Sequence, residues 1–187
     1  MRRSKGIISS AERIAAQALA SLDAAVHGER KAVVFDIDGT LTPSILSVRT
    51  PRQGAAEAVK AFFDAGFDIV YISARVRLLQ SGVSDWLDKH GFPDGQLHMT
   101  ESREDRLDTG AFKKRVLKAY ADHGWSFTAA FGDSTSDFNA YVYAGVPHDR
   151  IYALRRRGAA GCQAGVWQGC YGGWEDLRQT IADILAE

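Results

Sequence analysis

The run Ala32-Val33-Val34-Phe35-Asp36-Ile37-Asp38-Gly39-Thr40-Leu41 sets four apolar residues directly before two aspartates spaced one residue apart. A short apolar run of this kind reads as a buried strand. Side chains at i and i+2 of a strand point the same way, so Asp36 and Asp38 leave the sheet toward one space. Two carboxylates about 4 Å apart repel by roughly 4 kcal/mol at an effective dielectric of about 20, and both stay charged only beside a cation or strong donors. Oxygen ligands of this kind suit Mg²⁺, which takes few protein carboxylates, keeps several waters and accepts a phosphate oxygen. Gly39 and Thr40 supply a tight turn whose N–H groups and hydroxyl suit phosphate oxygens. A hairpin, the other common use of Asp-Gly, fits less well because no alternating strand follows the glycine. The stretch therefore predicts phosphotransfer chemistry.

Further candidates stand where a parallel sheet would deliver them. Asp68-Ile69-Val70-Tyr71-Ile72 reads as a strand ending in Ser73-Ala74-Arg75, a hydroxyl and a guanidinium that both suit phosphate. Phe112-Lys113-Lys114 opens a helical stretch with Phe112, Val116, Leu117 and Tyr120 on its apolar side. One lysine turns toward the site while the other stays solvated, and Lys113 is the choice. Thr128-Ala129-Ala130-Phe131 leads into Gly132-Asp133-Ser134-Thr135-Ser136-Asp137, two more carboxylates in a strand-to-helix turn, able to complete a metal site. Singly, Ser73 reads as a helix cap, Lys113 as a solvated face and Asp133 as an N-cap. Their order favours the site.

Strand-like runs at 32–36, 68–72, 96–99, 127–131 and 150–154 alternate with amphipathic stretches at 53–65, 77–90, 110–123, 136–144 and 174–185. This βαβ rhythm predicts a three-layer, Rossmann-like α/β sandwich with a mostly parallel five-stranded sheet. The gaps after the first strand and between Ser73 and Lys113 are too short for a substantial cap domain, the latter holding one helix, one strand and a loop. Residues 1–30 read as a tail and amphipathic helix, capped at Ser9-Ser10-Ala11-Glu12 and carrying Ile14, Ala18, Leu22 and Val26 on one face. That face is mostly alanine, so it is expected to pack on the domain or a partner subunit rather than enter a membrane. Residues 31–187 read as one catalytic domain.

With 187 residues, 45% of them hydrophobic, the chain suffices for a single core. Lys plus Arg number 23, as do Asp plus Glu, so no overall field steers it onto nucleic acid or an anionic membrane. No apolar stretch approaches a membrane span, and no signal-peptide core follows Met1-Arg2-Arg3-Ser4-Lys5, which together predict a cytoplasmic location. Cys162 and Cys170 lack zinc spacing and read as free thiols in preference to a local disulfide. The histidines at 27, 90, 98, 123 and 148 read as surface or capping residues. Between Arg155 and Trp174 a glycine-rich loop carries Arg155, Arg156 and Arg157 with Trp167, Tyr171 and Trp174, and either shapes the substrate entrance or simply covers the sheet edge.

Asp-x-Asp-Gly-Thr, a strand-end Ser, Lys, and Gly-Asp-x-x-x-Asp, in this order from about Lys31 to Tyr152, resemble the four motifs of the haloacid-dehalogenase superfamily. Within it, Phe35 to Ser44, Tyr71 to Arg75, Phe112-Lys113 and Ala129 to Gly132 with Asp137, Ala140-Tyr141 and Gly145-Val146-Pro147 resemble the catalytic domain of lipins, the phosphatidate phosphatases. Asp133 stands where lipins commonly carry Asn. The stretch Asp85 to Gly95 is similar instead to the related domain of membrane-associated phosphatidylinositol-transfer proteins, which implies phosphatidate binding without hydrolysis. The resemblance implies Asp36 as nucleophile, Asp38 as acid and base, Ser73 and Lys113 at the phosphoryl group, and Gly39, Thr40 and Arg75 as substrate contacts. It also implies Mg²⁺ held by Asp36, the Asp38 carbonyl, Asp133 and Asp137. Three readings follow: a Mg²⁺-dependent phosphatase of phosphatidate or a related lipid, peripheral at a membrane surface; a non-catalytic phosphatidate sensor; or a phosphatase of soluble monoesters. An intact carboxylate set favours the first. The sequence sets no oligomeric state.

Overall fold

The computed structural model describes residue 14 and residues 30–44, 50–75 and 80–187. Strands β1 (Arg30–Asp36), β2 (Asp68–Ser73), β3 (Gln96–Met99), β4 (Trp125–Gly132), β5 (Ile151–Leu154) and β6 (Gly169–Tyr171) form one sheet in the order β3-β2-β1-β4-β5-β6. Every neighbouring pair is parallel. Parallel pairing needs crossovers, and these are α1 (Ala55–Asp64), α2 (Val83–Lys89), α3 (Arg103–Leu107), α4 (Thr109–Asp122) and α5 (Thr135–Tyr143), with α6 (Arg178–Leu185) closing the chain.

Alternation along β1 divides the core into two layers. Val33 and Phe35 pack with Val59 and Phe62 of α1 and Ile181 and Ile184 of α6. Ala32 and Val34 face the opposite way, onto Phe112 and Val116 of α4 and Phe138 and Tyr141 of α5. Phe35 and Phe131 stack at 5.2 Å, and the buried Trp174 ring lies 5.2 Å from Phe131 while its Nε1 donates to the Thr40 carbonyl at 3.0 Å. The chain moves from β1 to β2 and β3 on one side, then returns to β4 on the other. A crevice opens where that order reverses, at the C-terminal ends of β1 and β4.

The sheet has six strands where the sequence predicts five. The sixth, Gly169-Cys170-Tyr171, is too short to carry a strand pattern of its own and forms by pairing with β5. That pairing sets Cys170 opposite Ala153, and Cys162 packs against the cluster containing Ala153. The expected free thiols are accordingly a disulfide, Cys162–Cys170. His98 corrects the surface assignment: it is buried, with Nε2 2.7 Å from the Tyr120 hydroxyl, because β3 turns it toward α4. His123 does cap α4, its Nδ1 lying 2.7 Å from the Ala119 carbonyl.

The loop expected before Lys113 contains α3, nucleated by a capping box between Ser102 and Asp105. The helix expected at 77–90 is observed from Val83, and residues 76–79 lie outside the described residues. Of the expected N-terminal helix, Ile14 alone is described, helical and fully buried in the α4 layer. No helix among the described residues is long and apolar enough to cross a membrane.

Candidate active site

Asp36 ends β1, Ser73 ends β2, Gly132 ends β4 and Leu154 ends β5, so the loops after them leave one edge of the sheet. A cleft of about 310 Å³ lies there, walled by Asp36, Asp38, Arg75, Lys113, Asp133 and Arg156. Asp36 shares the parity of Ala32 and Val34 and therefore faces α4. Lys113 Nζ donates to Asp36 Oδ1 at 2.6 Å and also to Asp137 Oδ1. Thr40 Oγ1 donates to Asp36 Oδ2 at 3.0 Å, so both oxygens of Asp36 are fixed.

The β4 turn is organised by Ser134 and not by Asp133. Ser134 is the N-cap of α5, and Asp137 returns the bond: its Oδ2 accepts from the N–H of Ser134 at 3.0 Å and of Asp133 at 3.2 Å. This frees the Asp133 carboxylate to enter the cleft, where Arg156 Nε reaches it at 2.5 Å. Gly39 lies against it at φ +88°, and a Cβ there would stand 2.1 Å from Asp133 Oδ2. Glycine is required twice over, by conformation and by space.

Asp38 takes other partners. Its Oδ2 accepts from Ser73 Oγ at 2.7 Å and its Oδ1 from Arg75 Nε at 2.6 Å. Arg75 Nη2 is buried with no hydrogen-bond partner among the described residues.

Four carboxylates, Asp36, Asp38, Asp133 and Asp137, meet three cations, Lys113, Arg75 and Arg156, which leaves one net negative charge. Burial and then Asp137 push the Asp36 carboxyl well up from its ordinary value, with Lys113 opposing them. Burial likewise raises Asp133 against the hydrogen bond from Arg156. Burial alone would lower Lys113, but Asp137 and Asp36 outweigh it and hold the ammonium charged. Carboxylate oxygens of Asp36, Asp133 and Asp137 lie within 4.8 Å of one another. A surplus negative charge and an all-oxygen donor set fit a hard divalent cation such as Mg²⁺.

Every catalytic, substrate-contact and metal residue named from the sequence lies among the described residues. Asp36, Lys113, Asp133 and Asp137 form one buried cluster, with Asp38, Ser73 and Arg75 forming a second beside it. Asp38's carboxylate stands apart from the three that could grip a cation. Thr40 is fully buried and turned to Asp36. Lys114 points elsewhere, over the Tyr143 ring. Arg156 was legible only as one of three arginines in a loop; its position just past a strand end was the available sign.

The LNS2 domain of PITM 1-3 matches residues 33–155. Membrane-associated phosphatidylinositol transfer protein 1 of Homo sapiens is 38% identical over 130 residues, 67% of this chain and 10% of that protein. Protein retinal degeneration B of Drosophila melanogaster is 32% identical over 130 residues, again 67% and 10%. Phosphatidate phosphatase LPIN3 of Homo sapiens is 27% identical over 153 residues, 68% of this chain and 18% of that protein. The chain therefore spans under a fifth of the length of each of these relatives. Among solved structures, D,D-heptose 1.7-bisphosphate phosphatase from B. bronchiseptica, complexed with magnesium and phosphate, superposes with a TM-score of 0.59 at 14% identity, covering 82% of this chain and 98% of that one, which is a likeness of fold. Since the match runs from inside β1 to the residue after β5 and takes in the whole carboxylate cluster, the chain belongs to the LNS2 domain family and carries its haloacid-dehalogenase-like, lipin-type fold.

Proposed function

We propose that the chain hydrolyses phosphomonoesters through an aspartyl-phosphate on Asp36, with Mg²⁺, and that its substrate is phosphatidate or a related lipid phosphate. The observation that carries the reading is the setting of Asp36: a strand-end carboxylate clamped by Lys113 and Thr40, opposite Asp133 and Asp137. The relatives' names, a phosphatidate phosphatase and membrane-associated lipid-transfer proteins, support the substrate class.

In the first step an Asp36 oxygen attacks phosphorus in line, and a new P–O bond forms as the ester P–O bond breaks. Asp38, as general acid, gives a proton to the departing alkoxide. Asp38 then takes a proton from water, whose oxygen attacks phosphorus, releasing inorganic phosphate and restoring the Asp36 carboxylate. Thr40 and Lys113 hold Asp36 in position, and Lys113 balances phosphoryl charge as it builds. Ser73 and the backbone near Gly39 orient the phosphoryl oxygens. When Asp38 swings to the leaving group, the fork of Arg75 is released for a phosphate oxygen. Asp36, Asp133 and Asp137, with the Asp38 carbonyl, would hold Mg²⁺, which would supply positive charge at the phosphoryl oxygens. No cap domain covers the cleft among the described residues, which suits a phosphate presented at a membrane surface.

One observation favours a sensing module instead: both oxygens of Asp38 are already taken, by Ser73 and Arg75. A turnover panel separates the readings. Phosphatidate vesicles, sugar phosphates and nucleotides are compared with Mg²⁺ and with chelator, for the wild type and Asp36→Asn. The phosphatase reading expects Mg²⁺-dependent phosphate release, greatest from phosphatidate and lost in Asp36→Asn. Vesicle binding without release would establish the sensor, and preferential release from sugar phosphates would move the substrate to the soluble class.

A further inference from the structure

Beside the cleft lies a larger hollow, about 780 Å³, that the reaction above leaves unused. Four arginines line it: Arg52 from the segment before α1, and Arg155, Arg156 and Arg157 from the turn after β5. Arg156 also lines the cleft, so one guanidinium forms the wall common to both spaces. Arg52 is fixed in place, Nη1 donating to the Gly172 carbonyl at 3.3 Å and Nη2 to the Arg155 carbonyl at 2.7 Å. Its Nε is buried with no hydrogen-bond partner among the described residues.

Charge at this place is not balanced locally. Arg156 is paired with Asp133, and Glu175, which also borders the hollow, is taken by Arg178. Among the described residues no carboxylate pairs with Arg52, Arg155 or Arg157. Arg52 feels Asp133, and Arg155 shares the space beside Gly172 with Asp176, yet neither arginine is held in an ion pair, and guanidiniums crowded around one concavity gain by admitting an anion. Planar guanidinium forks match phosphate and carboxylate oxygens in particular. The exposed Arg155 and Arg157 side chains add reach, and Pro43 and Pro51, both half-buried, give the hollow an apolar edge for a short spacer.

We propose that this hollow holds a second phosphate or carboxylate of the same molecule whose phosphomonoester lies against Asp36, so that the preferred substrate carries two anionic groups. The inference rests on the phosphatase reading and moves its substrate from phosphatidate itself, which has no second acidic group and leaves the hollow unfilled, to a related lipid phosphate that carries one. One molecule is favoured over a neighbouring membrane headgroup because the two spaces share a single side chain as their divide. Two covalently linked anions can therefore occupy both at once, with the advantage of high effective concentration.

The test compares wild type with Arg155→Ala/Arg157→Ala, both positions being exposed. Rates with Mg²⁺ are measured on soluble alkyl monophosphates and on alkane bisphosphates of matched spacer length. Phosphatidate in phosphatidylcholine vesicles, with and without phosphatidylserine, forms the membrane arm. The expected result is a kcat/KM for the best bisphosphate about tenfold or more above its monophosphate, the size of one charge-assisted contact, and collapse of that ratio in the double variant. A ratio near unity at every spacer, a ratio that survives in the variant, or dependence on the arginines only when phosphatidylserine is present would overturn the proposal. If no ester is turned over, calorimetry decides. Bisphosphate binding tighter than monophosphate binding, and lost in the variant, would keep the subsite while removing the phosphatase reading; equal binding would remove the subsite.

Discussion

Arg75 Nε meets Asp38 Oδ1 at 2.6 Å, and the two side chains close on each other almost wholly out of solvent. Removing one partner of such a pair leaves a buried charge uncompensated, at about 3–5 kcal/mol. Arg75→Ala is expected to destabilise the fold by about 3 kcal/mol in chemical denaturation. Asp38→Asn is expected to slow turnover most for esters of basic alcohols and least for acidic phenols. Rates plotted against leaving-group pKa check this, and a uniform loss would remove Asp38's role as acid.

Gly39→Ala puts a methyl group into the space of Asp133 Oδ2 and strains a left-handed backbone. Asp133 has to move, so Mg²⁺-dependent turnover should fall by about a hundredfold or more, against a stability loss of only about 1–2 kcal/mol. Equal turnover by the two proteins would show that the contact between the β1 and β4 loops does not matter.

A ligand that binds only the folded state raises the unfolding midpoint by mass action, and this gives a test of the proposed Mg²⁺ site. The midpoint of the wild type should climb with Mg²⁺ and fall back with chelator, and Asp133→Ala, which removes the oxygen ligand, should shrink that response most clearly at low Mg²⁺. This readout needs no substrate. A response as large in Asp133→Ala would exclude Asp133 as a ligand.

Asp105 provides a prediction about acid. Burial alone would raise its carboxyl, but the Ser102 N–H, Arg115 and the Glu101 N–H outweigh burial and hold it at about 2, below its ordinary 3.8. A carboxyl depressed by folding stabilises the fold above its unfolded pKa and stops doing so as pH falls through the folded one. The contribution, about 2 kcal/mol at neutral pH, should fade between about pH 4 and pH 2. Denaturation of wild type and Asp105→Ala across that range should show the two curves converging at the acid end.

The parts of the fold legible in sequence were those with long apolar runs. β1, β2 and β4 announce themselves because parallel strands buried on both faces are hydrophobic throughout. β6 could not, since Gly169, Cys170 and Tyr171 become a strand only through β5. The disulfide follows from the same pairing, which no cysteine spacing reveals. His98 was misread because a single polar residue carries no parity, whereas its strand gives it one. At the site, the carboxylates were legible from their strand-end positions. Their partners were less so: Thr40 was read as facing phosphate and instead holds Asp36, and Arg156 could not be told from its neighbours without the loop's path.

Trp174 lies beyond the stretch matched to the LNS2 family, which stops at residue 155, yet its indole is buried against Phe35 and Phe131 and donates to the Thr40 carbonyl. Anyone trimming this domain to the matched borders would discard a keystone. The loop bearing the nucleophile would lose its rear support, and two aromatic rings would be bared to water. An excised unit meant to report on lipid phosphates must therefore extend through α6.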